Sequence, residues 1–158
     1  MLGPREDKGH SCLRQVSFQL PSLLRAQCIL RKYSLRTMTV SLPQCAAHPV
    51  LKVFGRCLQA LPNLHTLNVV SCTFTREDIR DEFKKRKCPS IRELRLPALA
   101  CPILLACPNV QKIKIISGSD CAHCMDTITK ACTKVESVEG IMAGSDTTCR
   151  GRGLPLSC

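Results

Sequence analysis

Three stretches of this chain are written in one phase. They are Leu61-Pro-Asn-Leu-His-Thr-Leu-Asn-Val69, Cys88-Pro-Ser-Ile-Arg-Glu-Leu-Arg-Leu96 and Cys107-Pro-Asn-Val-Gln-Lys-Ile-Lys-Ile115. The shared pattern is x-Pro-[Asn/Ser]-φ-x-x-φ-x-φ, with φ aliphatic. Weaker copies are Leu35-Arg-Thr-Met-Thr-Val40 and Cys132-Thr-Lys-Val-Glu-Ser-Val138. The first aliphatic of each copy falls on Leu35, Leu64, Ile91, Val110 and Val135, at intervals of 29, 27, 19 and 25 residues. A repeat of this length is one structural unit that cannot bury its apolar face alone, so neighbouring units must stack.

Each φ-x-x-φ-x-φ reads as a short strand with one buried face, because alternate side chains point the same way. Consecutive strands of one phase must be parallel, and the chain has to cross back between them, usually through a helix. The spacing of Val50, Leu51, Phe54, Cys57, Leu58 and Leu61 predicts a helix over 49–61. Thr75-Arg-Glu-Asp78 has the form of a capping box with Asp in place of Glu, and Ile79 and Phe83 lie four apart on the helix it would start. Ser119 is placed to cap a helix whose inner face carries Met125, Ile128 and Cys132. The 19-residue interval leaves room for only a turn or so over 98–106. The expected fold class is α/β, a short solenoid arc with strands on its concave face and helices outside.

The segment Leu64-His-Thr-Leu67-Asn-Val69-Val-Ser-Cys72-Thr-Phe74 fits L-x-x-L-x-L-x-x-[N/C]-x-L, with Val and Phe standing for Leu. It resembles the cysteine-containing leucine-rich repeat of F-box/leucine-rich-repeat proteins. The resemblance spans 35–141 and is most specific over 64–117. It implies a leucine-rich-repeat solenoid in which Leu64, Leu67, Val69, Ile91, Leu94, Leu96, Val110, Ile113 and Ile115 are structural repeat positions. Cys72 would occupy the stacked ladder position, whose counterparts here are Leu99 and Gly118. It also implies the substrate-recognition arm of a ubiquitin ligase. The F-box itself is not seen ahead of the repeats.

The division that follows is a disordered segment 1–10, an N-terminal capping helix within 11–34, about five irregular repeats over 35–141 and a flexible tail over 142–158. Residues 1–11 are polar, with no apolar run and cleavage site behind them, and the apolar stretch 98–107 is too short to span a bilayer. The expectation is a soluble intracellular chain, cytoplasmic or nuclear, without membrane contact. The 13 Cys then read as mostly reduced, buried thiols acting as small hydrophobes. Cys88, Cys107 and Cys132 share one repeat phase, as packing requires.

Cys121-Ala-His-Cys124 is the one segment with metal-ligand spacing. Zinc needs four ligands, and no second C-x-x-C exists, so packing is the favoured reading and Cys121 and Cys124 remain the candidate metal residues. Lys84-Lys-Arg-Lys87 reads as a solvated helix end opposing the negative end of the helix dipole, with a nuclear localisation signal or a phosphate-binding patch as the alternatives. His10, His48, His65 and His123 are scattered, and no nucleophile elbow, phosphate-binding glycine loop or H-E-x-x-H occurs. The sequence therefore reads as a binding protein with no catalytic residues and no cofactor.

Lys and Arg total 23 against 12 Asp and Glu, a formal net charge of +11. That suits an acidic protein partner, nucleic acid or simple solubility, and charge alone does not choose among them. Single-strand binders need exposed stacking aromatics, and Phe54, Phe74 and Phe83 fall on core positions. The polar positions between buried aliphatics form two columns. Thr37, Thr66, Glu93, Lys112 and Ser137 make one, and Thr39, Asn68, Arg95, Lys114 and Glu139 the other. Thr66, Asn68, Glu93, Arg95, Lys112 and Lys114 are the candidate partner-binding residues, with Arg95, Lys112 and Lys114 expected to form a cationic patch. A basic nuclear or nucleic-acid-associated protein, a zinc module at Cys121 and Cys124, and a degenerate copy without retained function are the competing readings. Oligomeric state is left open by the pattern.

Overall fold

The computed structural model describes residues 15–19, 35–42, 49–118 and 121–141. Six strands form one parallel sheet in strict sequence order: β1 (Gln15–Gln19), β2 (Thr37–Leu42), β3 (Thr66–Cys72), β4 (Glu93–Leu96), β5 (Lys112–Ile115) and β6 (Ser137–Glu139). Helix α1 (Pro49–Gln59) links β2 to β3, α2 (Arg76–Phe83) links β3 to β4, a 3₁₀ helix (Ala98–Ala106) links β4 to β5, and α3 (Cys121–Ala131) links β5 to β6. The fold class is α/β with a parallel sheet and helical crossovers, an arrangement compatible with a solenoid.

The strand phase is that of the repeated pattern. Met38, Leu67, Leu94 and Ile113 pair across β2–β5 and are all buried, and so are Val40, Val69, Leu96 and Ile115. Leu35, Leu64, Ile91 and Val110, just ahead of the strands, complete a third buried row. Strand entry follows one rule. The carbonyls of Arg36, His65, Arg92 and Gln111 each accept two successive N–H groups of the next strand, at 2.8–3.1 Å.

The x-Pro-[Asn/Ser]-φ signature has a local cause. In each copy the N–H of φ donates to the carbonyl of x: Leu64 to Leu61 (3.2 Å), Ile91 to Cys88 (3.4 Å) and Val110 to Cys107 (3.3 Å). That is a β-turn with Pro at its second position, where the fixed φ is already correct. The third-position side chain reaches back to the preceding turn. Ser90 Oγ donates to the Leu61 carbonyl (3.4 Å) and Asn109 Nδ2 to the Pro89 carbonyl (3.0 Å). One short motif thus builds a turn and tethers it to its neighbour.

Crossovers α1 and α2 are amphipathic. Leu51, Phe54, Cys57 and Leu58 of α1, and Ile79 and Phe83 of α2, are buried. The Phe54 and Phe83 rings meet edge to face with centroids 5.9 Å apart. Thr75 caps α2, its Oγ1 accepting from the Asp78 N–H at 3.2 Å and lying 2.6 Å from the Asp78 carboxylate. The 3₁₀ helix is different. Ala98, Ala100, Cys101, Pro102, Ile103, Leu104 and Ala106 are all buried, and both α2 and α3 pack against it.

Three expectations change. Gln15–Gln19, inside the span assigned to a capping helix, is a strand paired in register with β2, Val16 opposite Met38 and Phe18 opposite Val40. Its five residues lack the Pro-Asn lead that marks the repeated strands. The crossover over Ala98–Ala106 is nine residues of 3₁₀ helix rather than a turn. The tighter helix rises about 2 Å per residue, so it covers the return distance with fewer residues than an α-helix. Within Lys84–Lys87, Arg86 turns inward instead of into solvent. Its Nε lies 2.6 Å from Glu82 Oε1, Nη1 is 2.7 Å from Gln59 Oε1, and Nη2 bonds Glu82 and the Lys52 carbonyl. Gly55 makes the room, since a Cβ there would stand 2.3 Å from Arg86 Nε. The helix placed around Leu23–Leu30, the cap Ser119 and the segments 1–10 and 142–158 lie outside the described residues.

Candidate functional site

The face of the sheet opposite the crossovers carries the two polar columns, and strand register assembles both. Thr37, Thr66, Glu93, Lys112 and Ser137 pair across β2–β6, as do Thr39, Asn68, Arg95, Lys114 and Glu139. Parallel strands place such neighbours about 4.8 Å apart, close enough for side chains to choose partners across the ladder.

They do so. Lys112 Nζ lies 3.6 Å from Glu93, and Lys114 Nζ 3.0 Å from Glu139. Asn68 Nδ2 donates to Thr39 Oγ1 at 3.3 Å, Thr66 Oγ1 donates to Glu93 at 3.5 Å, and the Ser41 and Ser71 hydroxyls meet. The patch expected of Arg95, Lys112 and Lys114 is therefore partly neutralised within the face. Arg95 is exposed and forms no ion pair among the described residues. Asn68 Oδ1, beside it in register, is buried and accepts no hydrogen bond among them.

Two further residues belong to this face. Val70 and Ile116 are the exposed large hydrophobics of the described residues, at 57% and 43%. Each directly follows a buried rung, Val69 and Ile115. Val70 is the extra residue of β3 where its register with β2 shifts, Val40 pairing with Val69 but Ser41 with Ser71. Such a bulge turns one more side chain outward than strict alternation would. Both lie one step beyond the two polar columns. The doublets Val69-Val70 and Ile115-Ile116 were the available signal, since the second member of each breaks alternation.

Of the described thiols, all but that of Cys72 are buried in the core. Cys88 and Cys107 open turns, Cys132 follows α3 at the same repeat phase, and all three are buried. Cys132 Sγ points at the Cys107 carbonyl (3.8 Å). Cys107 is pushed well up by its hydrogen bond to Cys88 and by burial, the same bond draws Cys88 down, and burial pushes Cys132 up to about 11. Cys72 is half-buried, its thiol raised by burial against the pull of the Phe74 backbone amide. At the equivalent position Gly118 adopts φ +109°, and a Cβ there would meet that of Ala98 at 2.6 Å.

Within the C-x-x-C segment His123 and Cys124 diverge, and the Cys121 side chain lies outside the described residues. Cys124 is buried with Sγ 2.7 Å from Cys101 Sγ and 3.5 Å from the Ala98 carbonyl, whereas His123 Nε2 lies 3.1 Å from Arg80 Nη2 on α2. Among the described residues no three His, Cys, Asp or Glu side chains gather into a metal-binding group. Nor is any described helix long and apolar enough to cross a membrane. No protein-family model, curated protein or solved structure matches this chain.

Proposed function

We propose that the chain is a leucine-rich-repeat solenoid of the cysteine-containing type that works as a protein-binding module rather than an enzyme. Its polar sheet face would receive the partner, as in the substrate-recognition arm of F-box/leucine-rich-repeat ubiquitin ligases. The observation that carries this reading is the register: ten polar side chains on five adjacent strands fall into two aligned rows, backed by three rows of buried aliphatics. The repeated turn and the strictly sequential parallel order support the repeat assignment. A nucleic-acid reading is less favoured, because Phe54, Phe74 and Phe83 are all buried and offer no stacking platform.

Affinity capture with quantitative mass spectrometry tests the proposal, using the tagged full chain beside an Arg95→Glu, Lys112→Glu, Lys114→Glu variant. The expected result is a protein partner retained by the first and lost by the second, together with ligase components if the resemblance extends to that role. Identical capture by both chains would overturn the use of this face. Capture dominated by nucleic acid, falling steeply with salt, would favour the competing reading.

A further inference from the structure

We propose that Val70, Arg95 and Ile116 form one docking site for an amphipathic helix of a partner protein, a helix presenting a carboxylate between two aliphatic side chains. The proposal rests on the binding-module reading and makes it specific.

The three residues share a face. Val70 follows the buried Val69 on β3, and Ile116 follows the buried Ile115 of β5. The Ile116 N–H still pairs with the Leu96 carbonyl at 3.0 Å, so the ladder holds to this level. The strand between them, β4, continues into Pro97, which is buried. Arg95 stands two residues before Pro97 on the same outward face. Two parallel-strand spacings of about 4.8 Å set the separation expected of the aliphatics, about 9.6 Å.

That separation selects the partner's secondary structure. Same-face side chains of an extended segment recur at about 6.7 Å or 13.4 Å, and neither fits. Helix residues i and i+7 are about 10.5 Å apart on one face, with i+3 and i+4 between them. A helix with aliphatics at i and i+7 would seat them on Val70 and Ile116, and a carboxylate at i+3 or i+4 would stand over Pro97, about 6.7 Å along β4 from Arg95 and within reach of its long side chain.

Charge selects the central residue. Of the three cations on the two polar columns, Lys112 is held by Glu93 and Lys114 by Glu139. Arg95 alone of these has no carboxylate among the described residues. Its guanidinium presents a planar fork of donors that a carboxylate matches with two parallel hydrogen bonds. Flanking apolar contacts would exclude water from that pair and strengthen it.

The test is selection from a phage-displayed library of helix-forming peptides, randomised on one face, against the immobilised full chain. Fluorescence anisotropy then measures the enriched peptides. Enriched sequences are expected to carry Asp or Glu at i+3 or i+4 between aliphatics at i and i+7. Arg95→Glu and Val70→Asp should each weaken binding by at least about tenfold. Replacing the peptide's acid with Lys should restore binding to Arg95→Glu. All three side chains are surface groups, so the variants should melt close to the parent, which thermal denaturation verifies. Peptides that bind every variant equally would overturn the site. Loss of binding on reversing Lys112 and Lys114 but not on changing Val70, Arg95 or Ile116 would overturn it while leaving the binding-module reading intact. Retention of no peptide would also overturn the site, and the capture experiment then decides the module separately.

Discussion

Crossovers α1 and α2 differ from the 3₁₀ crossover in what surrounds them. The two α-helices bury one stripe and show solvent the other: Leu51 and Phe54 are buried while Lys52 and Arg56 are exposed. The 3₁₀ helix buries seven of its nine residues and carries no charge. Its repeat is the shortest, so the crossover stays close to the sheet and its larger neighbours close over it. Arg80 of α2 and His123 of α3 meet across that gap. A short crossover in a parallel array is thus driven toward the core, and its composition must be apolar on every side.

An alanine scan provides the largest test of this contrast. In the 3₁₀ helix, adjacent positions Ile103 and Leu104 should both cost about 2–5 kcal/mol on replacement by Ala. In α1, Leu51→Ala should cost as much, whereas its neighbour Lys52→Ala should stay within about 0.5 kcal/mol. Chemical denaturation of the four variants checks it. A periodic profile in the 3₁₀ segment would break the comparison.

The next effect tests what joins the α crossovers to each other. Arg86→Ala removes the cation that bonds Glu82, Gln59 and the Lys52 carbonyl, leaving the Glu82 carboxylate 13% exposed without its partner. A loss of about 2–4 kcal/mol is expected in thermal or urea unfolding. Arg86→Lys should recover only part of it, because one ammonium cannot reproduce the fork.

A pH experiment sharpens the view of the thiols where the 3₁₀ helix and α3 lead toward their next strands. Cys132 titrates at about 11 in the folded chain, raised from an ordinary value of 9.0. The folded state then holds a proton that the unfolded state releases, so stability is full below pH 9.0 and falls as pH rises toward about 11. Cys107 is shifted in the same direction. Cys132→Ala should flatten the loss of stability between pH 8 and pH 11 by on the order of 1–2 kcal/mol, read as the difference between denaturation midpoints at the two pH values. The smallest effect belongs to the α2 cap. Thr75→Ala should cost about 1 kcal/mol, and Thr75→Asp should retain most of the stability.

Much of this architecture was legible in the chain because repetition and alternation are local. The phase of Leu64, Ile91 and Val110 foretold which side chains face the core, and Thr75 with Asp78 foretold where α2 begins. β1 was not legible, since a five-residue strand without the Pro-Asn lead is too short to distinguish from its surroundings. Arg86 was read with its cationic neighbours because nothing in a basic run marks the member that finds a carboxylate, an amide and a gap left by Gly55 in a different helix. On the polar face, the columns were legible as columns. The pairing of Lys112 with Glu93 and of Lys114 with Glu139, which leaves Arg95 as the cation without such a partner among the described residues, was not.

What the sequence determined by itself is the set of repeated units: turns opened by x-Pro-[Asn/Ser], strands with one apolar side, and helices where the interval permits them. Those follow from backbone sterics and hydrophobic periodicity within about twenty residues. The tertiary structure alone decided which side chains of different units meet: Arg86 over Gly55, Arg80 with His123, Cys101 with Cys124, and the ion pairs of the polar face. Such contacts depend on the lateral register between strands and on the depth at which each crossover sits. Both are collective results of stacking, and no single repeat encodes them.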